Sequence, residues 1–449
     1  MNFYFLNLEI LNQELSGYSS TSIYSNIIFK NQSFKDRVKS SLNPHFNFIE
    51  KESINFESEE DLVIWTSNVV FLDSIKMKLF LEKLWHAEGS FRWGNEEGFI
   101  FKGTKKDFDN KNYKNFKLEN TFLEITDFQS FQNLLEVSLD TRAFNKIEKS
   151  ADTYIKKSKD IKKIEMEFNF LSSLPEDLKT FFIKVHSFKI SGQLAEYSMP
   201  RINYLDISRR HINGEISKNE TEILFEQLSI YFENVMEYGL NRNDEPFNFI
   251  SEKTNNRIVA FKSLEIYSPV NEVFKFSPNF KSIDEAFKTL NFFLEKNKKN
   301  INKKGSIISH GDLCFSNILA SKNFKDLIFI DPMGGSIDSS MRSIYYDFAK
   351  LSHSILGGYD LIIHNLSELA FNEDMHLHVS FKKERNKYLE DGLFGLLDKF
   401  NLSKNITRLI EASLFLSMLP LHSENQKRTS MLAVRGSEIL AELTKNKTI

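Results

Sequence analysis

The sequence predicts an α+β chain: a small α/β domain over residues 1–140, a small β-rich lobe over 141–203 and a large helical lobe over 204–449. Three observations point there. Strand-like apolar runs alternate with a helical pattern before residue 140. Between 144 and 204, strand-like runs flank one helical stretch. From Ile216 onward the apolar spacing is helical, apart from a pair of strand-like runs at 317–321 (NILAS) and 326–331 (DLIFID). A length of 449 residues is more than one ordinary core needs.

In chain order, Asp61–Thr66 (DLVIWT) and Gly98–Lys102 (GFIFK) read as strands, with Ser74–Trp85 helical between them. In the middle lobe Thr153–Lys157 reads as a strand and Ile161–Ser173 as a helix. Further strands are expected at Phe181–Val185 and Gln193–Met199. Thr221–Tyr238, Ile283–Glu295, Ser343–Leu356 and Ile406–Leu419 carry helical spacing.

Composition narrows the class. Hydrophobic residues make up 41% and charged residues 27%, with only 17 Gly and 8 Pro, which excludes disordered and collagen-like chains. The net charge of -3 advertises no nucleic-acid partner, so any phosphate chemistry must be local. The basic run Lys296–Lys304 reads as a solvated helix end. A lone cysteine, Cys314, precludes an internal disulfide and fits a reducing compartment. The start carries Glu9 and Glu14 and no early Lys or Arg, unlike a secretory leader. No apolar run approaches the length of a membrane span, so a cytoplasmic protein is expected.

The chemistry concentrates in Ile307–Ala320 (IISHGDLCFSNILA) and Leu327–Gly335 (LIFIDPMGG). Asn317 follows Asp312 by five positions, and Asp331 follows Asn317 by 331 − 317 = 14. Phosphoryl transfer needs a carboxylate to orient and deprotonate an acceptor hydroxyl, and hard oxygen ligands to hold Mg²⁺ against the nucleotide's phosphates. Asp312 suits the first task; Asn317 and Asp331 suit the second, because a hairpin between them returns the chain to the same cleft. His310 is expected to brace the loop.

HGDLCFSN followed by IDP resembles the catalytic and metal motifs of the aminoglycoside phosphotransferase and choline kinase family, which shares the protein-kinase-like fold. The resemblance implies ATP- and Mg²⁺-dependent phosphorylation of a small-molecule hydroxyl. Such a bilobal kinase also needs a strand lysine for the α/β-phosphates and a helix glutamate to orient it. Lys157 is favoured because Ile155 and Lys157 share a strand face, with Lys156 the alternative. Glu167 is favoured over Glu165. No GxGxxG or GxxxxGK[ST] occurs, leaving Glu148–Thr153 as the candidate phosphate-covering turn. The adenine should meet main-chain groups near Ser198–Tyr204, and since Pro200 lacks a donor the candidates are Met199 and Arg201.

Asp347 resembles a family aspartate that anchors its helix and can face the acceptor; a helix-start acid favoured by the dipole is the alternative. His353 and Lys350 are further acceptor-side candidates, or surface cover. His422 reads as structural, His376 and His378 lack a third zinc ligand, and Cys314 reads as a buried thiol.

A finer resemblance, carried by 142–145 (RAFN), 157–175, HGDLCFSN and 345–360 (YYDFAKLSHSILGGYD), is to bacterial proteins associated with surface-polysaccharide synthesis. In these a sugar-nucleotidyltransferase-like domain precedes a kinase-like one. Residues 60–140 would then be a reduced first domain, closed by 122–135. The start, MNFYFLNLEILNQ, has no Gly-rich basic loop, so no nucleotidyl transfer is expected of it. Met333 also departs, where that group commonly has arginine. Two other readings compete: an inactive pseudokinase scaffold, and an antibiotic phosphotransferase using Glu373-Asp374 or Glu390-Asp391 to meet a polycation.

Overall fold

The computed structural model describes residues 1–10, 15, 23–29, 32–54, 61–118, 121–137, 145–150, 152–214, 216–239 and 245–445. Arg142, Ala143, Phe144 and Ala151 lie outside the described residues. The chain divides into two compact units, Met1–Asp140 with Ile212–Glu215, and Thr141–His211 with Ile216–Ile449.

The first unit is built on a six-stranded sheet in the order Asn47–Lys51, Asn2–Leu6, Leu62–Thr66, Phe99–Gly103, Phe91–Gly94, Lys114–Phe116. LVIW is apolar throughout because Leu62–Thr66 is a central strand, parallel to Asn2–Leu6 and antiparallel to Phe99–Gly103, and buried on both faces. Helix Ser74–His86 starts where the Asp73 side chain accepts from the amides of Ile75 and Lys76, and it buries Met77, Leu81 and Leu84. Trp65, Phe80 and Phe122 interlock beside it, one use of the chain's 43 phenylalanines.

The second unit is a mixed α+β body with a sheet lobe and a helical lobe. Its antiparallel sheet runs Asn145–Lys149, Thr153–Ser158, Leu194–Pro200, His186–Ser191. Helix Ile161–Ser173, capped by Asp160, covers it through Ile164, Ala195 and Tyr197. The strand expected at Phe181–Val185 is not there: the strand starts at His186. Phe181, Phe182 and Ile183 are apolar because they bury into the helical lobe, where the backbone of Phe181 and Ile183 bonds to Phe329.

The helical lobe is carried by Lys218–Glu237, with its Ser217/Glu220 capping box, and by Pro246–Lys262, Ile283–Lys303, Ile344–Ile355, Lys404–Ser417 and Gln426–Lys445. All twelve residues of Ile344–Ile355 are buried, which makes it the lobe's central rod. Among the described residues three small sheets interrupt the helices: Ile318–Ala320 between Leu327–Phe329 and Leu205–Asp206, Ser306–Ile308 with Met341–Ser343, and Ser367–Phe371 with Leu377–Phe381. The hairpin at Ile318–Phe329 was legible as strands in the helical spacing, as was the strand leading into His310. Among the described residues no helix is long and apolar enough to cross a membrane.

Candidate active site

The loop of the HGD motif is delivered by the short strand Ser306–Ile308, paired to Met341–Ser343. Gly311 sits at φ +77°, and a Cβ there would lie 2.7 Å from the Cβ of Met333, so glycine is required by both backbone and space. Asp347, at 0% exposure, clamps the loop: it accepts from the Ser309 hydroxyl and from the amides of His310 and Gly311, each at 2.9 Å. Burial pushes its carboxyl up, and the His310 ring and these donors oppose that rise. Both its oxygens are engaged by the loop, so Asp347 anchors it.

His310 is fully buried and stacks on Phe182. Its Nδ1 accepts from the Asp312 amide at 3.1 Å, which assigns Nε2–H as donor to the Ile330 carbonyl at 3.0 Å. Burial holds its pKa below the ordinary value, so the ring is a neutral strut joining the two motif loops.

Asp312 is the half-open group of this loop, with its side chain 41% exposed. Its Oδ1 meets the Lys350 ammonium at 2.8 Å and its Oδ2 accepts from Asn317 Nδ2 at 3.1 Å. Burial alone would raise the Asp312 carboxyl, but the Lys350 charge outweighs it and holds it well below the usual range. Asn317 Nδ2 also donates to the Asp312 carbonyl at 2.8 Å, which fixes the amide so that Oδ1 is its remaining ligand atom. The Ile318–Ala320/Leu327–Phe329 hairpin and the Ile330 amide on the Asn317 carbonyl, 3.0 Å, return Asp331 to the neighbourhood of Asn317. Asp331 takes φ +54°, an uncommon conformation that aspartate tolerates better than most residues.

The lysine that meets this aspartate is Lys156, not the favoured Lys157. Lys156 Nζ lies 2.6 Å from Glu167 and 2.9 Å from Asp331, and the Lys156 and Glu167 side chains are 3% and 1% exposed. Lys157 turns to the other face of the strand, bound to Glu148 at 2.7 Å and Glu196 at 3.1 Å. Strand alternation separates the two lysines, but which face is covered is set by helix Ile161–Ser173, and that helix lies over Lys156 and Ser158. Glu167 is the helix residue that reaches in, also accepting from Tyr197 Oη at 3.2 Å. Burial would lower the Lys156 ammonium; Asp331, Tyr197 and Glu167 reverse this and hold it well above its ordinary value. Glu167 itself is raised by burial, against the opposing pull of Lys156. The loop after Asp331 seals the arrangement: the Gly335 amide donates to the Met166 carbonyl at 2.8 Å, and a Cβ on Gly334 would come 2.7 Å from the Glu167 nitrogen.

Three further expectations are corrected. The Arg201 amide donates to the Asp152 carbonyl at 2.9 Å. Two residues earlier, Met199 opposes Tyr154 in the same antiparallel register, so its amide is also spent in the ladder. Neither offers the main-chain donor expected for adenine. His353 is fully buried between the Tyr359 and Phe415 rings, and burial drives its pKa well below the ordinary value, so it is a core residue and not an acceptor contact. The Cys314 thiol is pushed up to about 12 by burial, which makes it unreactive. Lys350, one of the acceptor-side candidates, is the direct partner of Asp312. Among the described residues no group of three His, Cys, Asp or Glu side chains forms a separate metal cluster.

No protein-family model and no curated protein matches the sequence. Similar solved structures include a thermostable mutant of aminoglycoside phosphotransferase APH(4)-Ia in ternary complex with ADP and hygromycin B, at 9% identity and TM-score 0.41, covering 66% of this chain and 93% of that one. The GDP complex of an aminoglycoside 2'-phosphotransferase is similar at 11% identity and TM-score 0.41, covering 71% and 98%. Choline kinase from Cryptosporidium parvum Iowa II is similar at 10% identity and TM-score 0.35, covering 70% and 94%.

Proposed function

We propose that this chain is an ATP- and Mg²⁺-dependent phosphotransferase acting on a hydroxyl of a small molecule. In this reading residues 141–203 form the lobe over the nucleotide, 204–449 hold the catalytic loop, and 1–140 form a separate domain without nucleotidyl transfer. The observation that carries it is the convergence of the buried Lys156–Glu167 pair with Asp331, next to the Asp312–Asn317 hydrogen bond. A bare ion pair would be an unremarkable structural feature. Here one end of the network is half-open, since the Asp331 side chain is 48% exposed and Asp312 is 41% exposed.

The donor set fits Mg²⁺. Asn317 is held by its Nδ2 and keeps Oδ1, and Asp331 gives Oδ1 to Lys156 and keeps Oδ2, so each retains a hard oxygen of the kind Mg²⁺ takes. The bound ion would neutralise charge on the β- and γ-phosphates. Lys156, fixed by Glu167, clamps the phosphates from the sheet side. Asp312, ionised throughout the physiological range, accepts the hydrogen bond of the attacking hydroxyl and receives its proton as the acceptor O–P bond forms and the β–γ bridge breaks. Lys350 keeps that carboxylate oriented. The sequence resemblance carried by 142–145, 157–175, HGDLCFSN and 345–360 favours a sugar or polyol acceptor of surface-polysaccharide synthesis.

The test is the isosteric variant Asp312→Asn. ADP release is followed with ATP and Mg²⁺ against glycerol, D-glucose, D-gluconate, glycerol 3-phosphate and choline, alongside ADP affinity by calorimetry. The wild-type chain should consume ATP with at least one hydroxyl compound, and the variant should lose about 10²–10⁴-fold in turnover while binding ADP equally well. Unchanged turnover in the variant would remove Asp312 from the chemistry.

A further inference from the structure

The acceptor side of Asp312 is basic. Helix Ile344–Ile355 turns Tyr346 and Lys350 to one face by their spacing of four, and helix Pro246–Lys262 does the same with Phe249 and Lys253. The two faces meet: the Lys253 ammonium bonds the Tyr346 hydroxyl and lies 5.0 Å from the Tyr346 ring centre and 5.6 Å from that of Phe249. Arg342, 4% exposed, lies 4.8 Å over the Phe249 ring. It stands beside the motif loop, 3.6 Å from where a Cβ of Gly311 would be.

The charges do not balance. Lys350 is paired with Asp312, but neither Lys253 nor Arg342 has a carboxylate within ion-pair distance among the described residues, and the buried Nε of Arg342 has no partner. The other nearby carboxylate, Asp347, is held by its three loop donors and acts on Arg342 only through its charge, without an ion-pair contact, which leaves two carboxylates to three cations. Burial, aided by the charge of Lys350 and opposed by Tyr346 and the more distant Asp312, pulls the Lys253 ammonium below its ordinary value. Lys253 is half-buried with only the neutral Tyr346 hydroxyl to meet it, and buried Arg342 has the Ser340 carbonyl at 3.0 Å, so both keep uncompensated charge that an anionic ligand would offset. The acidic pairs that would greet a polycation lie elsewhere: Glu373-Asp374 is in the exposed turn of the Ser367–Phe371/Leu377–Phe381 hairpin, and Asp391 is paired to Lys387.

Building on the phosphotransferase reading above, we propose that the acceptor is an anion, a hydroxyl compound whose phosphate or carboxylate is received by Lys253 while its hydroxyl reaches Asp312. Quaternary ammonium alcohols and amino-sugar antibiotics are repelled by the same cations. Arg342 acts behind Lys253, holding Phe249 and the loop while adding to the field.

The experiment uses the full chain loaded with AMP-PNP and Mg²⁺, so that the nucleotide site is filled, and titrates inorganic phosphate, D-gluconate, glycerol and choline by thermal shift. At least one anion should stabilise saturably while choline does not, and the better of phosphate and gluconate assigns the anionic group. In Lys253→Met the apparent Kd for that anion should rise about 10–100-fold, the worth of one charged hydrogen bond, with AMP-PNP affinity unchanged. Lys253→Gln serves if the methionine variant does not fold. Choline binding, no anion binding, or equal anion affinity in the variant overturns the proposal while leaving the kinase reading intact. Failure of AMP-PNP and Mg²⁺ to bind at all overturns the kinase reading itself.

Discussion

Replacing Lys156 with methionine tests the buried network at the centre of the site. The substitution keeps the length of the side chain and removes its charge, leaving Glu167 at 1% exposure without the ammonium 2.6 Å away. Removing one partner of a buried pair costs about 3–5 kcal/mol. Glu167 keeps the Tyr197 hydroxyl at 3.2 Å and a distant, half-exposed Lys163 at 3.9 Å, so the lower end, about 3 kcal/mol, is expected. At about 2–4 °C per kcal/mol the melting temperature should fall by about 6–12 °C. The pH dependence has a definite sign. Glu167 is already raised above its ordinary 4.5, so the folded state holds its proton more tightly than the unfolded chain. Any stability from that proton is present below about 4.5 and lost as pH climbs through the folded pKa. Without Lys156 the folded pKa rises further, so the deficit of the variant should be small near pH 4.5 and grow toward neutrality. Urea titrations of K156M, E167Q and the double variant at pH 5 and pH 7.5 measure it, without metal or nucleotide. The double variant should be more stable than the sum of the two losses by about 2 kcal/mol. Additive losses, or a K156M deficit that does not change with pH, would refute the argument.

Two further predictions concern the loops. Asp347→Ala strands three donors in a dry interior, and urea unfolding should show a loss of about 3–5 kcal/mol; a loss below about 1 kcal/mol would mean the loop is not held there. Gly334→Ala forces a side chain into φ +81° and against the backbone of Met166 and Glu167. It should cost about 1–3 kcal/mol and weaken ADP binding; a variant with wild-type melting and affinity would show that the loop does not approach the helix as described.

The legible part of the site was its local part. His310, Asp312 and Asn317 come together through a single loop, and the hairpin to Asp331 is short, so spacing along the chain maps onto spacing in the cleft. What spacing could not tell was which side of a strand another element covers. Lys156 and Lys157 are equivalent as text and are separated only by helix Ile161–Ser173. The same holds for Asp347 and His353, both polar residues on an apolar helix: one is buried because the loop needs an acceptor for three donors, the other because two aromatic rings enclose it. Met199 and Arg201 failed for a related reason, since counting donors in a linker does not say which of them strand pairing has already used. Lys253 left no local sign at all. Its role comes from a helix pairing that brings it across 93 positions to Tyr346.

That same scale of separation has a consequence during synthesis. Lys156 reaches Asp331 across 175 positions, and Asp312 finds Lys350 only once a helix nearly forty residues later has emerged. A ribosome therefore releases the glutamate and lysine of the sheet lobe well before the groups that complete their surroundings exist. Contacts this distant in the chain form late and slowly. Until the rod at Ile344–Ile355 docks, the nascent lobe carries charges and phenylalanines with nowhere to settle, the kind of exposed surface that favours misassembly.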